Sequence, residues 1–207
     1  MTKHLIFDFD GTISDSYPIF CRIIHIIAEE NGLVIPVDDR ELDNILRVRV
    51  KTAYDRFGWK NKLSYEKFIG RFWELQAVFA NEFAAFENAI RLLHFSLQKG
   101  KKLYIYTHSG DIVKDIMQNM GIADLFSYVL TADRGFPAKP APDALQFLMR
   151  ECGLLPHECM MIGDRPIDAQ AGMNAGMCGV LWDPEGRYPD AKVDQRVTSL
   201  LDICDLI

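Results

Sequence analysis

The sequence predicts an α/β fold, a doubly wound parallel sheet with an all-helical insert near its start. Three observations carry this reading. From about residue 87 onward, short apolar runs alternate with amphipathic helical segments, a pattern that requires a parallel sheet covered by helices on both faces. From about residue 16 to 86 the alternation stops and the apolar spacing is helical throughout. Polar loops rich in carboxylates follow the apolar runs directly, where sheets of this kind bind their ligands.

The elements follow in order. Residues 3–7 form a short buried strand that runs into Asp8-Phe9-Asp10-Gly11-Thr12. Two carboxylates so close repel, and a proton, a cationic side chain or a metal must offset their charge. The glycine permits a tight turn and a close approach of backbone to ligand. Taken alone, this segment also reads as an acidic turn that merely ends a strand. In the insert, Phe20, Ile23, Ile24 and Ile27 share one helical face, and Phe68, Phe72, Leu75 and Phe79 another, with Ser64 as cap of the second helix. Residues 41–46 and 52–57 read as shorter helices. Tyr54, Phe57, Trp59 and Trp73 are assigned to the core of this bundle, with the lining of a substrate pocket as the alternative.

Beyond the insert, residues 88–99 form a helix and 102–106 a second strand, which ends at Thr107-His108-Ser109-Gly110-Asp111. Ser109 or Asp111 caps the next helix, 111–119, whose first backbone N–H groups favour a bound anion. A short strand follows at 127–131. Lys139 lies in the rigid segment Ala138-Lys139-Pro140-Ala141-Pro142-Asp143 before a helix over 144–152. A strand at 159–162 ends in Gly163-Asp164-Arg165-Pro166-Ile167-Asp168, two carboxylates four apart that suit a cation site. Residues 169–176 read as a helix of small side chains packed closely on the sheet, and 179–182 as a last strand. The segment 183–194 reads as loop, with Asp183 able to approach the cation site, and 199–206 as a short final helix.

In this order, each at the end of a strand, these segments resemble the motifs of the haloacid dehalogenase superfamily: Asp8-Phe9-Asp10-Gly11-Thr12, then Thr107, then Lys139, then Gly163-Asp164 with Asp168. Asp15-Ser16 looks like the phosphoglycolate-phosphatase-like branch, in which a helical C1 cap is inserted at that point. The resemblance implies a Rossmann-like catalytic core of residues 1–15 and 87–207, with residues 16–86 as the cap. It also implies a Mg2+-dependent phosphatase that hydrolyses a small phosphate monoester through an aspartyl-phosphate on Asp8. Asp10 would protonate the leaving group and then activate water. Asp8, the backbone carbonyl of Asp10, and Asp164 would hold the metal, with Asp168 behind them and paired to Lys139. Thr107, His108 and Lys139 would contact the phosphate, although His108 stands where relatives often carry Asn or Ser, and a passive loop histidine is the simpler reading.

The family's caps contribute a specificity loop in the region of Arg47-Val48-Arg49-Val50-Lys51. If this stretch is extended, Arg47, Arg49 and Lys51 share one side and are candidates to pair with an anionic substrate; a solvated surface turn is the simpler account. An aspartate at position 10 separates the chain from superfamily dehalogenases, which expel a halide and need no acid there. It does not separate a phosphatase from a sugar phosphomutase. A non-catalytic member that binds phosphorylated ligands or a protein partner is the alternative of another class.

Composition limits the other possibilities. A net charge of −6 with no long basic run argues against a nucleic-acid surface. Five scattered cysteines without a C-x-x-C pair argue for reduced thiols in a cytoplasmic protein, and against zinc or a disulfide framework. The first apolar run contains Asp8 and Asp10, unlike a signal peptide, and no run is long enough to cross a membrane. The expected partner is a small phosphorylated metabolite, and the expected state a monomer or homodimer.

Overall fold

Six strands form one sheet in the computed structural model, which describes residues 1–207. They are β1 (His4–Phe7), β2 (Lys102–Tyr106), β3 (Tyr128–Leu130), β4 (Cys159–Gly163), β5 (Cys178–Trp182) and β6 (Gln195–Val197). Their order is β3-β2-β1-β4-β5-β6, and every pairing is parallel. Leu5, Ile6 and Phe7 are fully buried, as a central strand covered on both faces requires. The direction of winding reverses at β1, so the crevice beside β1 and β4 is the switch point at which such sheets bind ligands. Phe7 pairs with both Ile105 and Ile162. Asp8, Thr107 and Asp164 therefore leave three adjacent strands within about one residue of the same level.

The chain divides into two compact units, residues 1–14 with 85–207, and residues 15–84. In the first, the helices are α5 (Glu87–Gln98), α6 (Ile112–Asn119), α7 (Asp143–Cys152) and α8 (Pro166–Asn174); in the second they are α1 (Tyr17–Glu30), α2 (Asp39–Val48), α3 (Val50–Arg56) and α4 (Tyr65–Val78). The chain leaves the sheet unit at Ser14 and returns at Ala85, and these two residues face each other in an antiparallel bridge. Phe86 N–H donates to the Ile13 carbonyl beside them at 2.9 Å. In α8 the small residues Ala169 and Ala171 are fully buried, which brings Asp168 at the start of that helix close to β4.

Within the helical unit, Phe20, Ile23, Ile24 and Ile27 of α1 and Phe68, Phe72 and Leu75 of α4 are buried. The Phe20 and Phe72 rings meet at 5.3 Å between centroids. Ser64 caps α4 by accepting from Lys67 N–H. Tyr54 and Trp59 are core residues whose polar atoms donate to the Leu63 and Val34 carbonyls. Phe57 packs against Trp59, whereas Trp73 is 56% exposed and belongs to no core.

The core assignment of Trp73 is thus corrected, and so is the reading of the basic segment. Arg47, Val48, Arg49, Val50 and Lys51 do not form an extended stretch: α2 ends at Val48, Arg49 alone is extended, and α3 starts at Val50. Each cation has its own surroundings as a result. Arg47 pairs with Asp43 one turn earlier at 2.8 Å and lies over the Tyr17 ring. Lys51 pairs with Asp55 one turn later at 2.6 Å, and Arg49 is exposed. Residues 195–197, to which the sequence reading gives no element, form edge strand β6, with only Val197 buried. The final helix is a 3-10 helix over Leu200–Leu206 capped by Ser199, because Asp202 accepts from the Ser199 N–H and tightens the turn. No helix is long and apolar enough to cross a membrane.

Candidate active site

Asp8 follows the last residue of β1 directly. Its N–H continues the ladder to the Ile162 carbonyl at 2.8 Å, so its backbone is still that of a strand while its side chain enters the crevice. The side chain is 1% exposed, a placement that a lone carboxylate could not tolerate. Two cations compensate it. Lys139 Nζ donates to Oδ1 at 2.9 Å, and Arg165 Nη2 donates to Oδ2 at 3.2 Å. Burial alone would raise the Asp8 pKa, but Lys139 and then Arg165 outweigh it and hold the carboxyl below its ordinary value.

Lys139 is itself fully buried and makes three contacts through Nζ: Asp8, Asp168 Oδ1 at 2.8 Å, and the Tyr106 carbonyl at 2.9 Å. Burial would lower its pKa, and the charges of Asp168 and Asp8 raise it instead, so the ammonium is retained. A lysine on a loop is positioned so firmly because its own backbone is held: Lys139 N–H donates to His108 Nε2 at 2.9 Å. The imidazole of His108 thus ties the loop after β2 to the loop that carries the lysine.

Asp168 stands behind this pair. Its Oδ1 takes the Lys139 ammonium, and its Oδ2 takes the Arg165 backbone N–H at 3.1 Å at the start of α8. Burial and the neighbouring Asp8 charge raise its pKa, in competition with Lys139. Residue 163 has to be glycine for this arrangement, since a Cβ there would lie 2.3 Å from the Cβ of Asp168. At the other turn, Gly11 has φ 81°, a left-handed conformation that lets the loop double back so that Gly11 N–H reaches the Ser14 carbonyl. Thr12 Oγ1, carried by that turn, donates to Asp164 Oδ1 at 3.2 Å.

Asp10 has a different environment. Ser109 Oγ donates to its Oδ2 at 2.6 Å, and Thr107 Oγ1 lies 3.5 Å from the same oxygen. Thr107 Oγ1 also accepts from Ser109 N–H at 3.0 Å. The two carboxylates of the first loop are therefore set apart chemically: cations surround Asp8, and hydroxyls hold Asp10.

Asp8, Asp164 and Asp168 place one oxygen each within 4.8 Å of one another. Within the protein Lys139 and the Arg165 backbone N–H engage Asp168, Lys139 and the Arg165 guanidinium engage Asp8, and Thr12 engages Asp164. An all-oxygen donor set fits a hard ion such as Mg2+. The charges agree. Asp8, Asp164 and Asp168 carry three negative charges when ionised against two positive ones on Lys139 and Arg165, an excess that a cation would offset.

Asp8, Asp10, Thr107, His108, Lys139, Asp164 and Asp168 thus converge on the carboxyl ends of β1, β2 and β4. Arg47, Arg49 and Lys51 belong to the helical unit and are engaged or exposed there as described. Asp183 is not among the site residues: Arg196 Nη1 pairs with its Oδ2 at 2.6 Å, and Arg187 and Tyr188 N–H groups donate to its two oxygens, so it orders the loop after β5. The sequence gives no site role to two of these residues, Arg165 and Ser109. Arg165 had one available signal, its position between the motif carboxylates Asp164 and Asp168. Of the two cap candidates, Asp111 precedes α6, which begins at Ile112, and the Ser109 hydroxyl turns to Asp10.

The chain is similar to known proteins over most of its length. It is 25% identical over 182 residues to the N-acetylmuramic acid 6-phosphate phosphatase of Pseudomonas aeruginosa, covering 84% of this chain and 78% of that one. It is 28% identical over 202 residues to the phosphoglycolate phosphatase of Vibrio vulnificus, covering 84% and 80%. Its fold matches the crystal structure of a predicted phosphoglycolate phosphatase from Haemophilus somnus with a TM-score of 0.84 at 22% identity, over 99% and 97% of the two chains. The family model of haloacid dehalogenase-like hydrolases matches residues 5–181. With that span and the convergent motif residues, the chain belongs to the haloacid dehalogenase-like hydrolase family.

Proposed function

We propose that this hydrolase is a Mg2+-dependent phosphatase of small phosphate monoesters that works through an aspartyl-phosphate on Asp8. The observation that carries the reading is the contrast between the two carboxylates of one loop. Asp8 is kept ionised by Lys139 and Arg165, as a nucleophile must be. Asp10 is held by hydroxyl groups, which suits a group that changes protonation state. The names of the relatives, phosphatases of N-acetylmuramic acid 6-phosphate and of phosphoglycolate, support a small phosphorylated metabolite as substrate.

In this reading Asp8 attacks phosphorus in line with the ester oxygen, and the P–O bond to the leaving group breaks as the Asp8–phosphorus bond forms. Asp10 delivers its proton to the departing alkoxide. It then takes a proton from water, which attacks the aspartyl-phosphate and releases phosphate. Lys139 and Thr107 hold phosphoryl oxygens while charge shifts onto them, and His108 acts by fixing Lys139. Asp8, Asp164 and the backbone carbonyl of Asp10 would hold Mg2+, which when bound offsets the repulsion between a carboxylate and a phosphate dianion. Asp168 serves as the fixed anion behind Lys139. Residues 15–84, inserted directly after the loop that carries Asp10, serve as the cap that selects the substrate. Cytoplasmic residence, supported by five free thiols, belongs to the same proposal.

The test is chemical trapping. Borohydride reduction of acid-quenched enzyme during turnover of a phosphate ester should convert residue 8 to homoserine, detected by peptide mass spectrometry. Turnover with no modification at residue 8 would overturn the covalent route.

A further inference from the structure

We propose that Ser109 is the positioning residue for the Asp10 carboxyl group, holding it in the orientation from which it exchanges a proton with the leaving group and with water. The inference rests on the reading of Asp10 as general acid and base. Four observations lead to it. The contact is short, 2.6 Å from Ser109 Oγ to Asp10 Oδ2. The hydroxyl is not spent on a helix cap, since α6 begins at Ile112 with Asp111 before it. The Ser109 backbone is fixed on both sides: its N–H donates to Thr107 Oγ1 at 3.0 Å, and its carbonyl accepts from Ala132 N–H at 3.0 Å. The next residues are anchored too, with Asp111 N–H donating to Asp133 Oδ2 at 2.7 Å.

A hydroxyl suits this task where a backbone N–H would not. An N–H can only donate and so favours the carboxylate, whereas a serine hydroxyl donates to the carboxylate and accepts from the acid. The contact therefore holds Asp10 Oδ2 at a fixed place against the loop after β2. Thr107 Oγ1, 3.5 Å from the same oxygen, is too distant to do this alone.

The experiment compares kcat/KM for 4-nitrophenyl phosphate and phenyl phosphate in the wild type, Ser109→Ala, Ser109→Thr and Asp10→Asn. The two esters differ little in size, but phenolate, with a phenol pKa near ~10, needs a proton far more than nitrophenolate does. Because kcat/KM covers only the steps up to loss of the phenol, slow hydrolysis of an enzyme intermediate does not enter. The phenyl-to-nitrophenyl ratio should fall about fivefold or more in Ser109→Ala, a part of the roughly 10²–10⁴ that acid–base catalysis supplies. It should fall further in Asp10→Asn and return toward the wild-type ratio in Ser109→Thr. An unchanged ratio in Ser109→Ala beside a lowered one in Asp10→Asn would overturn the role of Ser109 and leave Asp10 as the acid. An unchanged ratio in Asp10→Asn would overturn both. Crystal structures give a readout independent of substrate: the Asp10 carboxylate should leave its position in Ser109→Ala and keep it in Ser109→Thr. An unmoved carboxylate in Ser109→Ala would also overturn the inference.

Discussion

Cations stand beside carboxylates both at the carboxyl edge of the sheet and in the helical unit, yet the two regions use them in opposite ways. At the sheet, Lys139 and Arg165 are drawn from distant parts of the chain onto a buried Asp8, and Lys139 has no exposed side-chain surface. In the helical unit, Arg47 and Lys51 pair with Asp43 and Asp55 on their own helices. The Lys51 pair is about half exposed on each side. Pairs formed one turn apart on a solvated helix contribute a few tenths of a kcal/mol. A buried triad formed across the fold is retained despite its desolvation cost, and that is the mark of a site. Being basic told little; where the partner lay in the chain told more.

The largest effect expected from this contrast is at Lys139. Lys139→Met would leave Asp8 and Asp168 facing each other without the shared ammonium, and breaking a buried pair in this way costs about 3–5 kcal/mol. Urea unfolding should register that loss, together with loss of turnover. Asp168→Asn keeps the shape and one acceptor for Arg165 N–H but releases Lys139. Changes behind a metal or a nucleophile of this kind cost about 10–100-fold, to be read in kcat/KM.

Arg165→Gln sharpens the contrast from the other side. Removing a positive charge beside Asp8 should tighten Mg2+ binding by about tenfold, since a charge at this range is worth more than ~1 kcal/mol at intermediate dielectric. Calorimetric titration of the substrate-free protein measures it, and weaker Mg2+ binding would mean that Arg165 helps to build the metal site rather than oppose it. The smallest effects belong to the helical unit. Arg47→Ala and Lys51→Ala should change stability by about 1 kcal/mol or less. A selective rise in KM for an acidic phosphate ester in either variant would instead give that cation a substrate and erase the distinction between the two regions.

Much of the sheet and of the site was legible because strong local patterns marked them. Leu5, Ile6 and Phe7, or Met160, Met161 and Ile162, are apolar runs of the kind a doubly covered strand demands, and a carboxylate follows each at the crevice, Asp8 directly and Asp164 after Gly163. β6 was not legible, since Gln195 and Arg196 are solvated residues of an edge strand and Val197 alone is buried. The arrangement of Arg47, Arg49 and Lys51 was open because alternation of cations with valines fits a strand as well as two helices that meet. Arg165 and Ser109 were missed for another reason. Neither belongs to a pattern of its own, and each meets its carboxylate in the first loop, Asp8 or Asp10, from more than 90 residues away.

The most direct test of the central claim is hydrolysis of 4-nitrophenyl phosphate by the wild type and by Asp8→Asn, each with Mg2+ and after its removal by a chelator. Metal-dependent turnover that falls on the order of 10⁴-fold or more in Asp8→Asn is the predicted result. Turnover that survives either the chelator or the substitution would contradict it.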